Sequence, residues 1–83
     1  MSHVFKLIDV HSIKMDRHPL NLSTTNLIDF IRDGGIIPPI HVAKLPTGQF
    51  IIRDGRHRVT AYKLLGRNKI PARFSTKPME IPA

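Results

Sequence analysis

Cysteine and tryptophan are absent from this sequence of 83 residues, and acidic and aromatic residues are scarce. Without a thiol the chain has no disulfide framework, no thiolate nucleophile and no cysteine-ligated zinc site, a composition that suits a reducing cytoplasm. No stretch approaches the roughly 18 apolar residues that a membrane helix needs, and the N-terminus lacks the apolar segment of a signal peptide. We therefore expect a soluble, cytoplasmic protein without a membrane partner.

Aromatic residues make up 6% of the chain, and they fall at positions that we assign to the cores of strands and helices. They are Phe5, Phe30, Phe50, Tyr62 and Phe74. A surface that stacks nucleic-acid bases needs exposed rings. The sequence therefore predicts core packing, rather than base stacking, for all five.

Acidic residues number 6 against 13 lysines and arginines, which gives a formal net charge of +7. This excess favours an acidic partner, namely nucleic acid, a nucleotide or an acidic protein surface. The basic residues concentrate after position 52, at Arg53, Arg56, Arg58, Lys63, Arg67, Lys69 and Arg73. Solubility alone would not require this asymmetry, whereas a binding face would produce it.

The first half of the chain shows two strand signals and one helix signal. Residues 4–8 predict a strand, and an extended stretch follows over residues 11–15. Ser23 is placed to cap a helix, which Gly34 and Gly35 would end. The side chains expected on its buried face are Leu27, Phe30 and Ile31, at helical spacing.

The second half begins with a pair of prolines that force an extended backbone. Residues 40–44 and 50–53 then predict the two strands of a β-hairpin. A second helix follows, in which Val59, Tyr62 and Leu65 form the buried stripe and Gly66 marks the end.

A last strand is predicted over residues 70–74, so the order is strand, helix, hairpin, helix, strand. A chain of this length has room for one core. We therefore predict one α+β domain over residues 1–75, with a small mixed sheet packed with two main helices, and a proline-containing tail over residues 76–83.

The turn between the hairpin and the second helix carries the strongest functional signal. A strand that ends in Asp54-Gly55 and passes directly into a helix leaves the first N–H groups of that helix unpaired, at the positive end of its dipole. Arg56, His57 and Arg58 add side-chain donors in the same first turn, where positive charge is unfavourable unless an anion is bound. The sequence predicts a phosphate-binding loop at these residues.

A basic stripe would continue from this loop along the second helix. Arg56, Thr60, Lys63 and Arg67 follow one another at helical spacing, and Arg53 precedes the loop. Such a stripe would follow a nucleic-acid backbone, although a solvated outer face would look the same in sequence. Tyr62, one turn beyond Arg58, is placed to orient its guanidinium.

These features together resemble the ParB/sulfiredoxin superfamily. The similarity covers roughly residues 4–74, and it rests on the segments IPPIHV (residues 37–42), FIIRDGRHRVTAY (residues 50–62), LG (residues 65–66) and IPA (residues 70–72). The resemblance implies that Gly55, His57 and Arg58 contact nucleotide phosphates, with ATP, ADP or CTP as ligand and Mg²⁺ accompanying the nucleotide. It also implies a role in plasmid, phage or chromosome maintenance or regulation.

Departures from the superfamily pattern bear on activity. Arg56 stands where a sulfiredoxin carries its catalytic cysteine, so reduction of sulfinic acid is ruled out, and it also stands where ParB proteins carry a glutamate. Thr60 replaces one of the ParB arginines, which leaves the choice of nucleotide open.

Three functions remain open from the residues. The first is a module that binds a nucleotide or nucleic-acid phosphate. The second is an enzyme, a nuclease, nucleotide hydrolase or phosphotransferase, in which Asp54 or Asp16 holds a metal ion or acts as a base. The third is an accessory protein that binds an acidic partner. The five histidines lack the spacing of a metal site.

Overall fold

The computed structural model describes residues 5–74, which form a five-stranded mixed sheet and two α-helices. The elements in chain order are β1 (Phe5–Asp9), a 3-10 turn (Val10–Ser12), β2 (Ile13–Lys14), α1 (Leu22–Arg32), β3 (Ile40–Lys44), β4 (Phe50–Asp54), α2 (Arg56–Leu64) and β5 (Lys69–Phe74). The predicted α+β class is confirmed. No helix in these residues is long and apolar enough to cross a membrane. The predicted tail over residues 76–83 lies outside the described residues.

The sheet has the strand order β1-β5-β3-β4-β2. β3 and β4 form the predicted antiparallel hairpin, while β5 pairs antiparallel with β1 and parallel with β3, and β2 pairs parallel with β4. In the hairpin His41 lies opposite Asp54. The end of β4 and the start of α2 therefore lie beside the proline segment that leads into β3.

The core between the sheet and the helices is built mainly from β-branched aliphatic side chains. The largest fully buried side chains are Val10, Thr24, Ile31, Ile40, Val42, Val59 and Ile70. Thr24 is the polar member, and its hydroxyl donates to the carbonyl of Pro19 at 2.7 Å. Because a buried hydroxyl is costly without a partner, this bond fixes α1 against the loop that precedes it.

The extended stretch predicted over residues 11–15 is wrong in its first part. The Asp9 carboxylate accepts the N–H of His11 at 2.8 Å, and this local bond closes the 3-10 turn over Val10–Ser12. Local capping of this kind competes with strand pairing. The turn buries Val10 completely and leaves β2 only two residues long.

α1 begins earlier than predicted because Asn21, and not Ser23, is its N-cap. The Oδ1 atom of Asn21 accepts the N–H of Thr24 at 3.2 Å, which is the usual N-cap geometry. Ser23 is the second residue of the helix. Gly34 ends the helix as predicted, with a φ of +92°.

The buried face of α1 also differs from the prediction at one position. The apolar face consists of Thr24, Leu27, Ile28 and Ile31, buried or half-buried at helical spacing. Phe30 is 51% exposed and lies over Gly35, where an added Cβ would come within 2.5 Å of the ring. Phe5 is likewise exposed, at 54%. The predicted core location is therefore wrong for these two rings.

Candidate anion-binding cleft

Gly55 forms the turn between β4 and α2, and it is the N-cap of α2. Its φ is +114°, and no side chain caps the helix. The Gly55 carbonyl accepts the N–H of Val59 at 3.0 Å, which begins the helical bonding. Three N–H groups therefore have no acceptor within the helix, those of Arg56, His57 and Arg58. The strand-to-helix turn expected from the sequence is present.

A cleft of about 720 Å³ opens in front of this turn. Its lining residues are Arg17, Pro19, Asn21, Ser23, Leu27, Pro38, Asp54, Gly55, Arg56, His57 and Arg58. Asn21 and Ser23 come from the start of α1, and Gly55 to Arg58 come from the start of α2. Two helix N-termini therefore meet at one cleft, and neither has an acidic residue in its first turn.

Asn21 and His57 join the two helix starts. The Nδ2 atom of Asn21 lies 3.1 Å from Nε2 of His57, while Oδ1 of Asn21 accepts the N–H of Thr24. The capping bond assigns the amide oxygen, so Nδ2 is the atom that donates to the imidazole. Nε2 of His57 is then an acceptor, and the ring proton resides on Nδ1.

Arg58 links the turn to the segment that enters β3. Its Nη1 atom donates to the carbonyls of Pro38 and Pro39, at 2.9 and 3.0 Å, and its Nη2 atom donates to Oδ2 of Asp54 at 3.1 Å. The side chain is 16% exposed. Three of its five N–H bonds therefore point to acceptors of the protein itself. The predicted partner Tyr62 instead has the guanidinium of Arg67 over its ring, at 5.7 Å.

Arg56 links the turn to the segment that follows β2. Its Nε atom donates to Oδ1 of Asp16 at 2.9 Å. Asp16 lies 40 positions earlier in the chain, and the fold places it beside the loop. This hydrogen bond lowers the pKa of the Asp16 carboxyl below its ordinary value, and the charges of Arg56 and Arg17 act in the same direction. A carboxyl with a lowered pKa is a weak base near neutral pH.

The ion pair between Asp16 and Arg56 predicts an acid-dependent loss of stability. Because the pKa of Asp16 is lower in the folded than in the unfolded chain, the pair stabilises the fold above the unfolded pKa of about 3.9. This contribution is lost as the pH falls through the folded pKa. We expect Asp16→Asn to have a lower Tm than the wild type at pH 7, and the difference to shrink at pH 3.

Arg56→Gln provides the control for this titration, because it removes the partner of Asp16. In that background, the Tm difference made by Asp16→Asn is expected to vary less between pH 7 and pH 3 than it does in the wild type. An undiminished difference between wild type and Asp16→Asn at pH 3 would show that the pair is not the source of the effect.

The two carboxylates proposed as metal ligands or bases both contact arginines. Asp16 pairs with Arg56 and Asp54 with Arg58. Within residues 5–74, no three acidic or histidine side chains come together in a group that could hold a metal ion. A catalytic role of Asp16 or Asp54 therefore requires that an arginine release it.

The predicted basic stripe is interrupted at Thr60. This residue is 3% exposed, and its hydroxyl donates to the Arg56 carbonyl at 2.8 Å, so the prediction of an exposed contact is wrong there. The helix turns this position toward the core, next to the buried Val59 and Ala61. Nucleic-acid contacts at Arg53, Lys63 and Arg67 stay predictions.

Several cleft residues were not identified from the sequence. They are Arg17, Pro19, Asn21, Ser23, Leu27 and Pro38. The signal available for Asn21 was an N-cap residue type just before an amphipathic helix, although the sequence placed the cap two residues later. The meeting of the two helix starts depends on tertiary packing and has no local signature.

Known structures share this fold. Sulfiredoxin from Arabidopsis thaliana is 23% identical with a TM-score of 0.76, and the match covers 89% of this chain and 86% of that chain. A free serine kinase in complex with AMP is also 23% identical with a TM-score of 0.78, over 87% of this chain and 31% of the kinase. This chain thus spans about a third of the kinase.

Chromosome-partitioning protein ParB from Caulobacter crescentus, complexed with CTP-γ-S, is 19% identical with a TM-score of 0.73. That match covers 92% of this chain and 46% of the C-terminally truncated ParB. No curated protein matches the sequence. At these identities the likeness establishes the fold alone.

The sequence itself defines the family more closely. The sequence profile of the ParB N-terminal domain matches residues 4–80, which include every strand and helix described above. This protein therefore belongs to the ParB N-terminal domain family.

Proposed function

We propose that this protein is a nucleotide-binding module that holds a nucleotide by its phosphates in the cleft between α1 and α2. The observation that carries the proposal is the meeting of two helix N-termini at one cleft, with no acidic residue in either first turn. Each helix start presents N–H groups without intrahelical acceptors and the positive end of a dipole. An anion satisfies both at once.

The side chains of the cleft favour a phosphate over a smaller anion. Arg17, Arg56 and His57 all line it, and arginine is suited to bidentate contact with phosphate oxygens. A volume of about 720 Å³ falls within the range typical of small-molecule sites. A nucleoside diphosphate or triphosphate would bring several negative charges to these donors.

Proteins of the same fold support a nucleotide as the ligand. The free serine kinase was crystallised with AMP and a mutant of it with ADP, and ParB was crystallised with CTP-γ-S. We propose ATP, ADP or CTP as ligands here. Mg²⁺ would arrive on the phosphates, because Asp16 and Asp54 are already paired with arginines. The likeness to ParB favours plasmid, phage or chromosome maintenance or regulation as the setting.

Binding is favoured over catalysis for this cleft. A phosphotransferase or nuclease needs a general base or a carboxylate that holds the metal. Asp16 has a lowered pKa and pairs with Arg56, and Asp54 pairs with Arg58. The arrangement therefore holds phosphate without supplying an evident base.

Calorimetric titration of ATP, ADP and CTP, with and without Mg²⁺, tests the proposal. We expect the wild type to bind, and a double variant, Arg56→Gln with His57→Ala, to bind roughly 100-fold more weakly. The estimate assumes that each charged or polar contact to phosphate contributes about 1.5 kcal/mol.

Arg32→Gln is the matched control for this titration. It removes one positive charge at the C-terminal end of α1, about 15 Å along the helix from its N-terminus, where Arg32 pairs with the exposed Asp29. Its affinity should equal that of the wild type. Equal binding by the double variant and the wild type, or no binding by either, would refute the phosphate site.

A further inference from the structure

We infer that Asn21 is a positioning residue of the phosphate site and acts through His57. It holds the imidazole in the form that carries its proton on Nδ1, so that the ring offers a donor to a phosphate oxygen. The inference rests on the proposed function and deepens it, because it names a residue at the start of α1 that prepares a donor at the start of α2.

The orientation of the Asn21 amide is fixed by the helix that it caps. Oδ1 of Asn21 accepts the N–H of Thr24 at 3.2 Å. A flipped amide would turn its NH2 group toward that N–H, which would place two donors face to face and leave α1 without its cap. The NH2 group therefore points to the other neighbour of the amide, and its Nδ2 atom lies 3.1 Å from Nε2 of His57.

This contact decides which nitrogen of the His57 ring donates. Because Nε2 accepts from Asn21, the proton of the neutral ring lies on Nδ1. In the other neutral form, Nε2–H would face the NH2 group of Asn21, and Nδ1 would present a lone pair to an anion. The capping bond of α1 thus selects the form of the ring that attracts phosphate.

The selected donor lies close to the other donors of the turn. His57 lines the cleft, and its backbone N–H is one of the three at the start of α2 that have no acceptor within the helix. Nδ1 is one bond closer to that backbone than Nε2 is. The ring therefore adds its donor beside the N–H groups that we propose for phosphate, while its outer nitrogen reaches Asn21.

Two substitutions of Asn21 keep the cap and change the contact with His57. Serine and aspartate cap helices about as well as asparagine, so both variants should retain α1. Serine has no NH2 group, and Asn21→Ser therefore leaves Nε2 without its donor. A carboxylate only accepts hydrogen bonds, so Asn21→Asp favours a proton on Nε2.

Nitrogen-15 NMR of the His57 imidazole in the ligand-free, full-length protein tests the state of the ring. At pH 8, where an ordinary histidine is neutral, we expect the wild type to carry the proton on Nδ1. Asn21→Asp should carry it on Nε2, and Asn21→Ser should populate both forms. A wild-type ring with its proton on Nε2, or the same ring form in all three proteins, would overturn the inference.

Calorimetry with inorganic tripolyphosphate tests the consequence for binding. We expect Asn21→Ser to bind roughly 3- to 10-fold more weakly than the wild type, which corresponds to one hydrogen bond. In a His57→Ala background the same substitution should leave the affinity unchanged. Unchanged affinity in the wild-type background, or an equal loss in both backgrounds, would overturn the inference, since Asn21 would then not act through His57. If the wild type bound neither tripolyphosphate nor ATP, the proposed function would itself be wrong.

Discussion

Replacing Gly55 with alanine is expected to lower the free energy of unfolding by about 2–5 kcal/mol. Its φ of +114° lies in a region that residues with a Cβ rarely adopt, which costs roughly 1–2 kcal/mol. An added Cβ would also lie 2.6 Å from Cγ2 of Ile40 and 2.9 Å from its Cβ. Ile40 is fully buried in β3, so it cannot move aside, and such overpacking costs about 1–3 kcal/mol.

Gly34→Ala separates the two contributions in urea denaturation. Gly34 has a similar φ of +92°, but nothing lies within 4 Å of its added Cβ. The stability lost by Gly34→Ala should therefore come from the backbone conformation alone, about 1–2 kcal/mol. If the two alanine variants lost the same stability, the contact with Ile40 would not be what demands glycine at the turn.

The order of elements was predictable because most boundaries are set by local chemistry. Gly34, the hairpin over β3 and β4, and Gly66 all act through their own backbone geometry, and the structure confirms them. The helix that begins after Gly55 follows from the same logic. The strand-to-helix turn at Gly55 could therefore be located from the sequence, and phosphate binding there stays a prediction.

Some of the errors come from local caps, because the side chains of Asp9 and Asn21 set the 3-10 turn and the start of α1. The others come from tertiary packing. Phe30 has a helical spacing that fits the buried face, yet the ring lies over Gly35 while Ile28 packs against the core. Thr60 follows the basic stripe by spacing, but the packing of α2 buries it. The sheet order, with β5 between β1 and β3, likewise depends on pairings that no local pattern specifies.

One half of the candidate site was predictable from the sequence, and the other half was not because tertiary packing brings it to the turn. The residues of the turn, Arg56 to Arg58, are contiguous, so their shared helix start is visible in sequence. The other wall comes from Arg17 to Leu27 and from Pro38, and it meets the turn only after the fold forms. The bond between Asn21 and His57 spans 36 positions and has no counterpart in a sequence pattern.

The Arg58→Met variant is expected to lower the free energy of unfolding by about 2–4 kcal/mol, even without a ligand. In the family resemblance Arg58 is a phosphate contact, but in the structure it donates to two backbone carbonyls and to Asp54. Methionine would fill similar space while leaving those acceptors without their donor, at about 1–3 kcal/mol for each group that stays out of water. Urea denaturation of the ligand-free protein measures the loss.

Arg32→Met is the matched control, because Arg32 also pairs with an aspartate but does so on an exposed surface. Such surface pairs are worth about 0–1 kcal/mol, so this variant should lose little stability. If ligand-free Arg58→Met were as stable as Arg32→Met, the hydrogen bonds of Arg58 would not stabilise the fold, and a phosphate contact would be its remaining role. A large loss would instead make Arg58 a positioning residue, which holds Pro38 and Pro39 against the turn and so forms one wall of the cleft that Arg56 and His57 face.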